Sequence, residues 1–119
     1  MKRLSFTTGV LRKKAAGRLR NKQVTQSIRS TKLLMLSGIL NGSGSPVGDE
    51  IEIILDGQVL GIAEIQAVDE TQWSQIELGD AKRGGFDSRF ELAYALRRAG
   101  FRFKDLEEYN LYRVLFSWL

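Results

Sequence analysis

The chain has 119 residues, 43% of them hydrophobic, and its 18 lysines and arginines outnumber 14 acidic residues to give a net charge of +4. This length allows one globular domain with a substantial core, so we expect a single domain over residues 1–119. The absence of cysteine and histidine excludes disulfides, serine–histidine and cysteine–histidine catalysis, and the commonest zinc ligands. We therefore expect no metal and no cofactor. No segment approaches the roughly 18 consecutive apolar residues of a membrane span, which predicts a cytoplasmic protein without membrane contact.

Basic and acidic residues are distributed unevenly along the chain. Residues 1–48 contain ten lysines or arginines and no acid, whereas residues 49–119 contain eight against fourteen acids, so the two parts carry +10 and −6. A segment without acids attracts polyanions, and phosphate backbones are the commonest such partner. An anionic membrane surface is a weaker alternative, because the segment lacks the bulky apolar face of interfacial helices. A solvated surface or an acidic protein partner also fits this charge.

The first third of the chain predicts two strands separated by a basic helix. LSFTT at 4–8 fits a short strand, and residues 9–21 fit a helix whose leucines and alanines recur four apart. VTQSIRS at 24–30 fits a second strand. LLMLSGIL at 33–40 is apolar and fits either a strand or a short buried helix.

The middle of the chain predicts a turn and then a β-hairpin. NGSGS at 41–45 has the composition of a loop. EIEIILD at 50–56 and QVLGIAEIQAV at 58–68 both alternate like strands, and they meet at Asp56-Gly57, a dipeptide typical of tight hairpin turns.

The last third predicts a well-delimited helix and a terminal strand. Residues 80–83 fit one turn of helix. Ser88 and Glu91 have the spacing of a capping box, an apolar stripe follows, and Gly100 is placed to end this second helix. YRVLFSWL at 112–119 fits a buried strand. Together the elements predict an α+β fold, a small and mainly antiparallel β-barrel with helical insertions.

The strand at 24–30 carries an unusual polar face. Because strand side chains alternate, Thr25, Ser27 and Arg29 should point together, while Val24, Gln26 and Ile28 should point to the other face. An edge strand with one solvent-exposed face explains this pattern, and so does a binding surface made of two hydroxyls and a guanidinium.

Several motifs in this order resemble the ASCH domain, a branch of the PUA-like barrels. They are the T-x-S-I-R strand at 25–29, VGDEIEI at 47–53, GIAEIQAV at 61–68, DAKRGGFDSRFEL at 80–92 and the final YRVLFSW. The resemblance extends over nearly the whole chain. It implies a PUA-like pseudo-barrel with a cleft beside the T-x-S-I-R strand and an association with RNA.

The resemblance assigns the polar strand face to that cleft. Arg29 would hold a phosphate or a base edge with its planar fork, unless it merely pairs with a carboxylate inside the barrel. The basic helix would add attraction that is independent of sequence, with Gln23 at the rim. The predicted nucleic-acid-binding residues are Arg12, Lys13, Lys14, Arg18, Lys22, Thr25, Ser27, Arg29 and Lys32.

Some proteins similar to ASCH domains are amidohydrolases that deacetylate acetylcytidine. Their lysine, threonine and glutamate positions fall on Val24, Ser27 and Gly84 of this chain. A serine without an adjacent base is a poor nucleophile, and only Lys22 or Glu91 could replace the missing groups. The sequence therefore favours an RNA-binding module over a small hydrolase, whether ribonuclease or acetylcytidine amidohydrolase.

Overall fold

The computed structural model describes residues 2–40, 44–108 and 110–119, and for Thr31, Asp105, Glu107 and Glu108 it describes the backbone alone. Within these ranges the strands are β1 (Lys2–Phe6), β2 (Gln26–Arg29), β3 (Glu50–Leu55), β4 (Gln58–Thr71) and β5 (Leu111–Trp118). The helices are α1 (Thr8–Arg20), α2 (Thr31–Leu36), α3 (Leu78–Arg83), α4 (Arg89–Arg98) and α5 (Phe103–Glu108), with a 3₁₀ turn at Trp73–Gln75. Across the described ranges, no helix is long and apolar enough to cross a membrane.

The five strands form one curled sheet in the order β1-β3-β4-β5-β2. β1 runs parallel to β3, and the other neighbours are antiparallel. Register shifts at Ile53/Ile54 and between Ile65 and Ala67 each leave one extra residue on β4, which bends this long strand. The edges β1 and β2 consequently approach each other without forming a ladder, so the sheet is a half-barrel. Its concave face buries Leu4, Ile53 and Ile65 among other apolar residues.

The hairpin predicted at Asp56-Gly57 is confirmed. Both residues have positive φ, 50° and 83°, as a tight turn between β3 and β4 requires. The Asp56 carboxylate also accepts a hydrogen bond of 2.9 Å from the backbone N–H of Thr8. One turn residue therefore connects the hairpin to the first turn of α1.

Helix α1 begins one residue earlier than predicted and contains a break. Thr7, which the prediction assigned to a strand, is the N-cap and accepts from the backbone N–H of Val10. Arg12 has φ 68° and ψ 173° in the middle of the helix. This conformation is essentially confined to glycine and costs an L-residue on the order of 1–3 kcal/mol.

The ambiguous segment at 33–40 begins within a helix, α2. Ser30 is its N-cap and accepts from the backbone N–H of Leu33 at 3.2 Å. Of its apolar side chains only Leu34 is buried, whereas Met35 and Leu36 are exposed. The segment is thus a short surface helix rather than the strand or buried helix considered from sequence. The neighbouring loop predicted at 41–45 lies outside the described residues at 41–43.

Helix α4 follows its predicted boundaries, whereas α3 begins at Leu78, two residues before the turn predicted at 80–83. Gly84 is the C-cap of α3, and α4 begins after Ser88, whose Oγ accepts from the backbone N–H of Glu91 at 3.1 Å. Gly100, with φ 112°, follows the last turn of α4 as predicted. Terminal strand β5 is confirmed as well, whereas α5 was not predicted.

The strand predicted at 24–30 is shorter in the structure. Val24 is 1% exposed and packs before the strand begins, and β2 itself spans only Gln26–Arg29. Neighbouring Thr25 donates its backbone N–H to the carbonyl of Arg83 at 2.9 Å. This contact ties the start of β2 to the end of α3.

Two glycine-to-alanine substitutions should have opposite effects on stability. At Gly85, φ is +93° and an added Cβ would lie 3.0 Å from Cγ2 of Val24, so Gly85→Ala should lower the free energy of unfolding by at least about 1–2 kcal/mol. Gly17 lies inside α1 with open space around its Cα, so Gly17→Ala should raise it by about 0.5–1 kcal/mol. Urea unfolding of both variants measures the difference. Equal effects of the two substitutions would contradict this account of Gly85.

Candidate functional site

A cleft of about 210 Å³ opens between the two edges of the sheet and the helices that cover them. Strand β2 contributes the whole stretch Gln26–Arg29, and β1 contributes Ser5 and Phe6. Apolar side chains from α1, α4 and the segment between α3 and α4 form the remaining walls, including Leu11, Phe86 and Leu96. The cleft is therefore an apolar slot with polar groups concentrated on one strand.

Arg29 is the only cation among the described residues that line this cleft. Its Nε donates to Ser27 Oγ at 2.8 Å, and its Nη2 donates to the backbone carbonyl of Ser5 at 2.8 Å. The guanidinium lies 4.7 Å from the centre of the Phe6 ring. Two hydrogen bonds and one ring contact thus hold its orientation in a cleft that it shares with apolar groups.

The charge of Arg29 has no acidic partner within the described part of the chain. Its interactions there are with a hydroxyl, a carbonyl and an aromatic ring, and none is with a carboxylate. Burial lowers the pKa of Arg29 to about 10, so the side chain remains protonated at neutral pH. The alternative in which a barrel carboxylate neutralises Arg29 does not match this geometry, and an anionic ligand would supply the missing charge.

The other predicted strand residues occupy different places. Ser27 lies in the cleft, where its hydroxyl orients Arg29, whereas Thr25 is outside the cleft lining because its backbone is bonded to the end of α3. Gln26 was assigned to the opposite face, yet it lines the cleft and is 1% exposed. The alternation rule failed here because Thr25 precedes the strand and both faces of β2 are covered.

The predicted basic residues divide into two groups. Lys14 forms ion pairs with Asp87 and Glu91, and Arg18 contacts Asp87 at 2.8 Å and the carbonyl of Gly85 at 2.9 Å. The hydrogen bonds that the Lys14 ammonium donates to Asp87 and Glu91 raise the pKa of Lys14. These two cations therefore fasten α1 to the start of α4.

The remaining predicted cations are exposed. Arg12, Lys13 and Lys32 make no ion pair within the described residues, and Lys22 lies 5.6 Å from the centre of the Trp118 ring. These side chains are available to an anionic partner in a way that Lys14 and Arg18 are not.

A buried carboxylate that contributes to the cleft lining was not identified from the sequence. Asp80 is 3% exposed, and its Oδ1 accepts from Gln26 at 3.0 Å, Arg83 at 2.9 Å and Arg113 at 3.2 Å. Its Oδ2 accepts from the backbone N–H of Glu77 at 2.8 Å and so completes a capping box at α3. The group joins α3 to β2 and β5.

The pKa of Asp80 is lower than its usual value. Burial favours the neutral carboxyl, but the Glu77 N–H, the Gln26 amide and the Arg113 guanidinium together outweigh burial and favour the carboxylate. Asp80 is consequently a structural anion whose lone pairs are occupied.

The positions that correspond to amidohydrolase groups do not assemble a nucleophile. Val24 is buried, Gly84 carries no side chain, and Ser27 Oγ is bonded to Arg29. The two residues that could replace the missing lysine and glutamate have other partners. Lys22 lies over the Trp118 ring, and Glu91 accepts from Lys14 and from the backbone N–H of Asp87. Among the described residues no general base is hydrogen-bonded to Ser27.

The two tryptophans lie away from the cleft. Trp73 is half-buried against the core, and the Arg89 guanidinium lies 5.1 Å from the centre of its ring. Trp118 packs beside Phe116 and donates to the carbonyl of Val24 at 2.8 Å. Both rings stabilise the half-barrel.

The curled sheet with a cleft between its edges and its covering helices defines an α+β half-barrel of the PUA-like class, as predicted. More narrowly, the fold is that of an ASCH domain. The crystal structure of an ASCH domain from Lactobacillus crispatus JV V101 is similar with a TM-score of 0.57 and 18% identity, over 87% of this chain and 69% of that one. No family model matches the sequence, and no curated protein matches it significantly.

A second crystal structure shares the fold. It is that of a protein from Enterococcus faecalis V583 described by the family model DUF984, with a TM-score of 0.64 and 15% identity over 100% of this chain and 76% of that one. The likeness extends over the whole chain, so both the sheet and the helices that form the cleft belong to the shared architecture.

Replacing Asp80 should destabilise the protein in a pH-dependent manner. Asp80→Asn leaves Arg83 and Arg113 without their carboxylate, so we expect a loss of about 3 kcal/mol in the free energy of unfolding at pH 7. Because the folded-state pKa is depressed, this stabilisation is present above the unfolded value of 3.8 and disappears as the pH falls through the lower folded value. Urea unfolding at several pH values measures the effect.

Glu50→Gln is a control with the same loss of charge at an exposed position at the start of β3. The free energy of unfolding of this variant should equal that of the wild type at every pH. If the free energies of unfolding of Asp80→Asn and wild type differed by the same amount from pH 7 down to pH 2, the proposed link between Asp80 ionisation and stability would be contradicted.

Proposed function

We propose that this protein is an RNA-binding module that takes one base or nucleotide of a single strand into the cleft between β1 and β2. The observation that carries the proposal is Arg29, a protonated guanidinium held in an apolar cleft without a described carboxylate partner. Such a group attracts a phosphate or the acceptor edge of a base. The ASCH-like fold supports the same conclusion.

The shape of the cleft supports a small planar ligand. Its volume of about 210 Å³ is below the roughly 300–1,000 Å³ typical of pockets for drug-sized molecules. One base fits this scale better than a dinucleotide. Apolar walls from Phe86 and Leu96 can contact the base face while Arg29 contacts a polar edge.

Single-stranded RNA is the class of partner that fits best. A base can enter a recessed slot only when it is unstacked, and sequence-specific recognition of RNA uses such unpaired bases. Exposed Arg12, Lys13 and Lys22 would provide attraction that is independent of sequence. A cytoplasmic location belongs to this proposal.

Arg29→Met should weaken binding of a short single-stranded RNA at every salt concentration. Losing a charge-assisted hydrogen bond of about 1.5–3 kcal/mol corresponds to a loss of about 10- to 150-fold in affinity. Fluorescence anisotropy with a labelled five-nucleotide RNA measures this at several salt concentrations. The recovered RNA should be intact, which checks that the protein binds rather than cleaves.

Arg89→Met is the matched control. Arg89 also lies over an aromatic ring and donates to a backbone carbonyl, that of Trp73, but it is outside the cleft. Its substitution should change affinity less than threefold at moderate salt, about 0.65 kcal/mol. Equal losses in the two variants, or no binding by the wild type above an equally basic control protein, would refute the proposal.

A triple substitution of the exposed cations should act on the salt dependence instead. Replacing Arg12, Lys13 and Lys22 with glutamine should flatten the slope of log affinity against log salt by about 0.7 for each phosphate that is no longer neutralised. The same anisotropy titrations supply the slopes. A triple substitution that includes Lys14 and Arg18 with Arg12 should flatten the slope less, because these two charges are already paired with Asp87 and Glu91.

A further inference from the structure

A second pocket of about 240 Å³ lies in the groove between α1 and α4. Arg12, Tyr94 and Arg98 contribute to its walls, and it shares Leu11 and Phe86 with the cleft. The two pockets are therefore neighbours that share part of their lining.

Arg12 adopts a conformation that favours glycine. Its φ of 68° and ψ of 173° interrupt α1 at the point where the helix borders the second pocket. Backbone strain of this kind persists where the surrounding structure imposes it, and it is concentrated at functional sites. Nothing in the packing of Arg12 requires an arginine, because its side chain is exposed and makes no hydrogen bond or ion pair in the described structure.

Arg98 faces Arg12 from the opposite wall of the groove. Its Nε donates to the carbonyl of Val10 at 2.8 Å, which fixes the guanidinium beside the break in α1. Burial and the nearby charge of Arg12 lower the pKa of Arg98. Both cations line the same pocket.

No described carboxylate neutralises this pair. Glu91 lines the same pocket, but its two oxygens accept from Lys14 and from the backbone N–H of Asp87. Neither Arg12 nor Arg98 forms an ion pair within the described residues. Two like charges kept together without a counter-ion form a site that an external anion would stabilise.

We propose that Arg12 and Arg98 form a clamp for a phosphate group. The identification of that phosphate as part of an RNA strand rests on the proposed function: the base occupies the cleft beside Arg29 and the adjoining phosphodiester lies between the two guanidiniums. Tyr94, 53% exposed at the rim of this pocket, offers a ring on which the next base stacks.

Titration with inorganic phosphate tests the clamp separately from RNA binding. Backbone amide resonances around residue 13 and the Nε–Hε resonance of Arg98 report occupancy in NMR spectra, with sodium chloride at equal ionic strength as the reference. Saturable shifts are expected in the wild-type protein. Arg12→Gly and Arg98→Gln should each weaken phosphate binding at least tenfold, while Arg29→Met should leave the shifts at this site within twofold of wild type.

Two further variants distinguish a clamp from net charge. Arg97→Gln removes the same charge from the neighbouring position, whose guanidinium lies over Phe103 at 5.1 Å rather than in the pocket, and it should bind phosphate within twofold of wild type. Arg98→Lys keeps the charge but loses the planar fork, so it should weaken binding severalfold. Arg12→Gly should also raise the melting temperature without phosphate, because glycine tolerates this φ.

The outcomes separate the two proposals. The clamp would be refuted if phosphate caused no saturable shifts in the wild-type protein, or caused equal shifts in the wild type and in the double variant Arg12→Gly/Arg98→Gln. This conclusion would not depend on the result of the RNA-binding experiment. The clamp would be supported if the wild-type protein bound phosphate saturably and these substitutions abolished that binding. It would be supported even if the five-nucleotide RNA did not bind and the proposed function were refuted. If both proposals are correct, the double substitution should also reduce the slope of log RNA affinity against log salt concentration by about 0.7.

Discussion

Arg29 joins the two edges of a sheet that does not close. β1 and β2 approach each other across the concave face, but the ladder ends at each of them, and a side chain spans the gap from β2 to the carbonyl of Ser5. A backbone ladder at this point would complete a barrel and fill its interior. The contacts of the Arg29 guanidinium with Ser5 and Phe6 leave an opening between the edges, and the cleft is that opening. The group that holds the edges is therefore also the group that a ligand in the cleft would meet.

The walls of the cleft depend on a second buried charge. Asp80 binds Gln26 of β2 and Arg113 of β5 from its place on α3, so it fixes the distance between the sheet and the segment that carries Phe86. Partners on two strands and on the helix itself occupy both carboxylate oxygens. A fully satisfied network of this kind specifies one arrangement. Asp80 thus positions the apolar wall opposite Arg29 without being available to a ligand.

Local sequence signals predicted the elements whose geometry is local. The Asp56-Gly57 turn and the limits of α4 at Ser88 and Gly100 follow from the backbone preferences of a few consecutive residues, and the structure has them where expected. The α+β barrel-like fold was predicted from the order of all the strands and helices, and the motif order added the resemblance to ASCH domains. The ambiguous segment at 33–40 was undecided because an apolar run does not distinguish helix from strand.

The site residues were less predictable because their roles depend on distant partners. Ser27 and Arg29 line the cleft, and Gln26 lines it as well, with its amide donating to Asp80, which is 54 residues away in the sequence. Lys14 and Arg18 carry the same charge in sequence as Arg12, yet the fold pairs them with Asp87. No pattern near residue 12 indicates that its φ is positive.

The basic segment is therefore not a uniform positive surface. Its ten charges serve at least two purposes: some join α1 to α4, and others remain without a described counter-ion. Arg29 differs from the exposed lysines because the cleft partly buries its charge, and Arg12 differs because its backbone conformation is strained; each has a cost to stability. A solvated surface charge needs no such cost. The positions where the fold retains an unfavourable cation are accordingly the positions where an anionic ligand gains most.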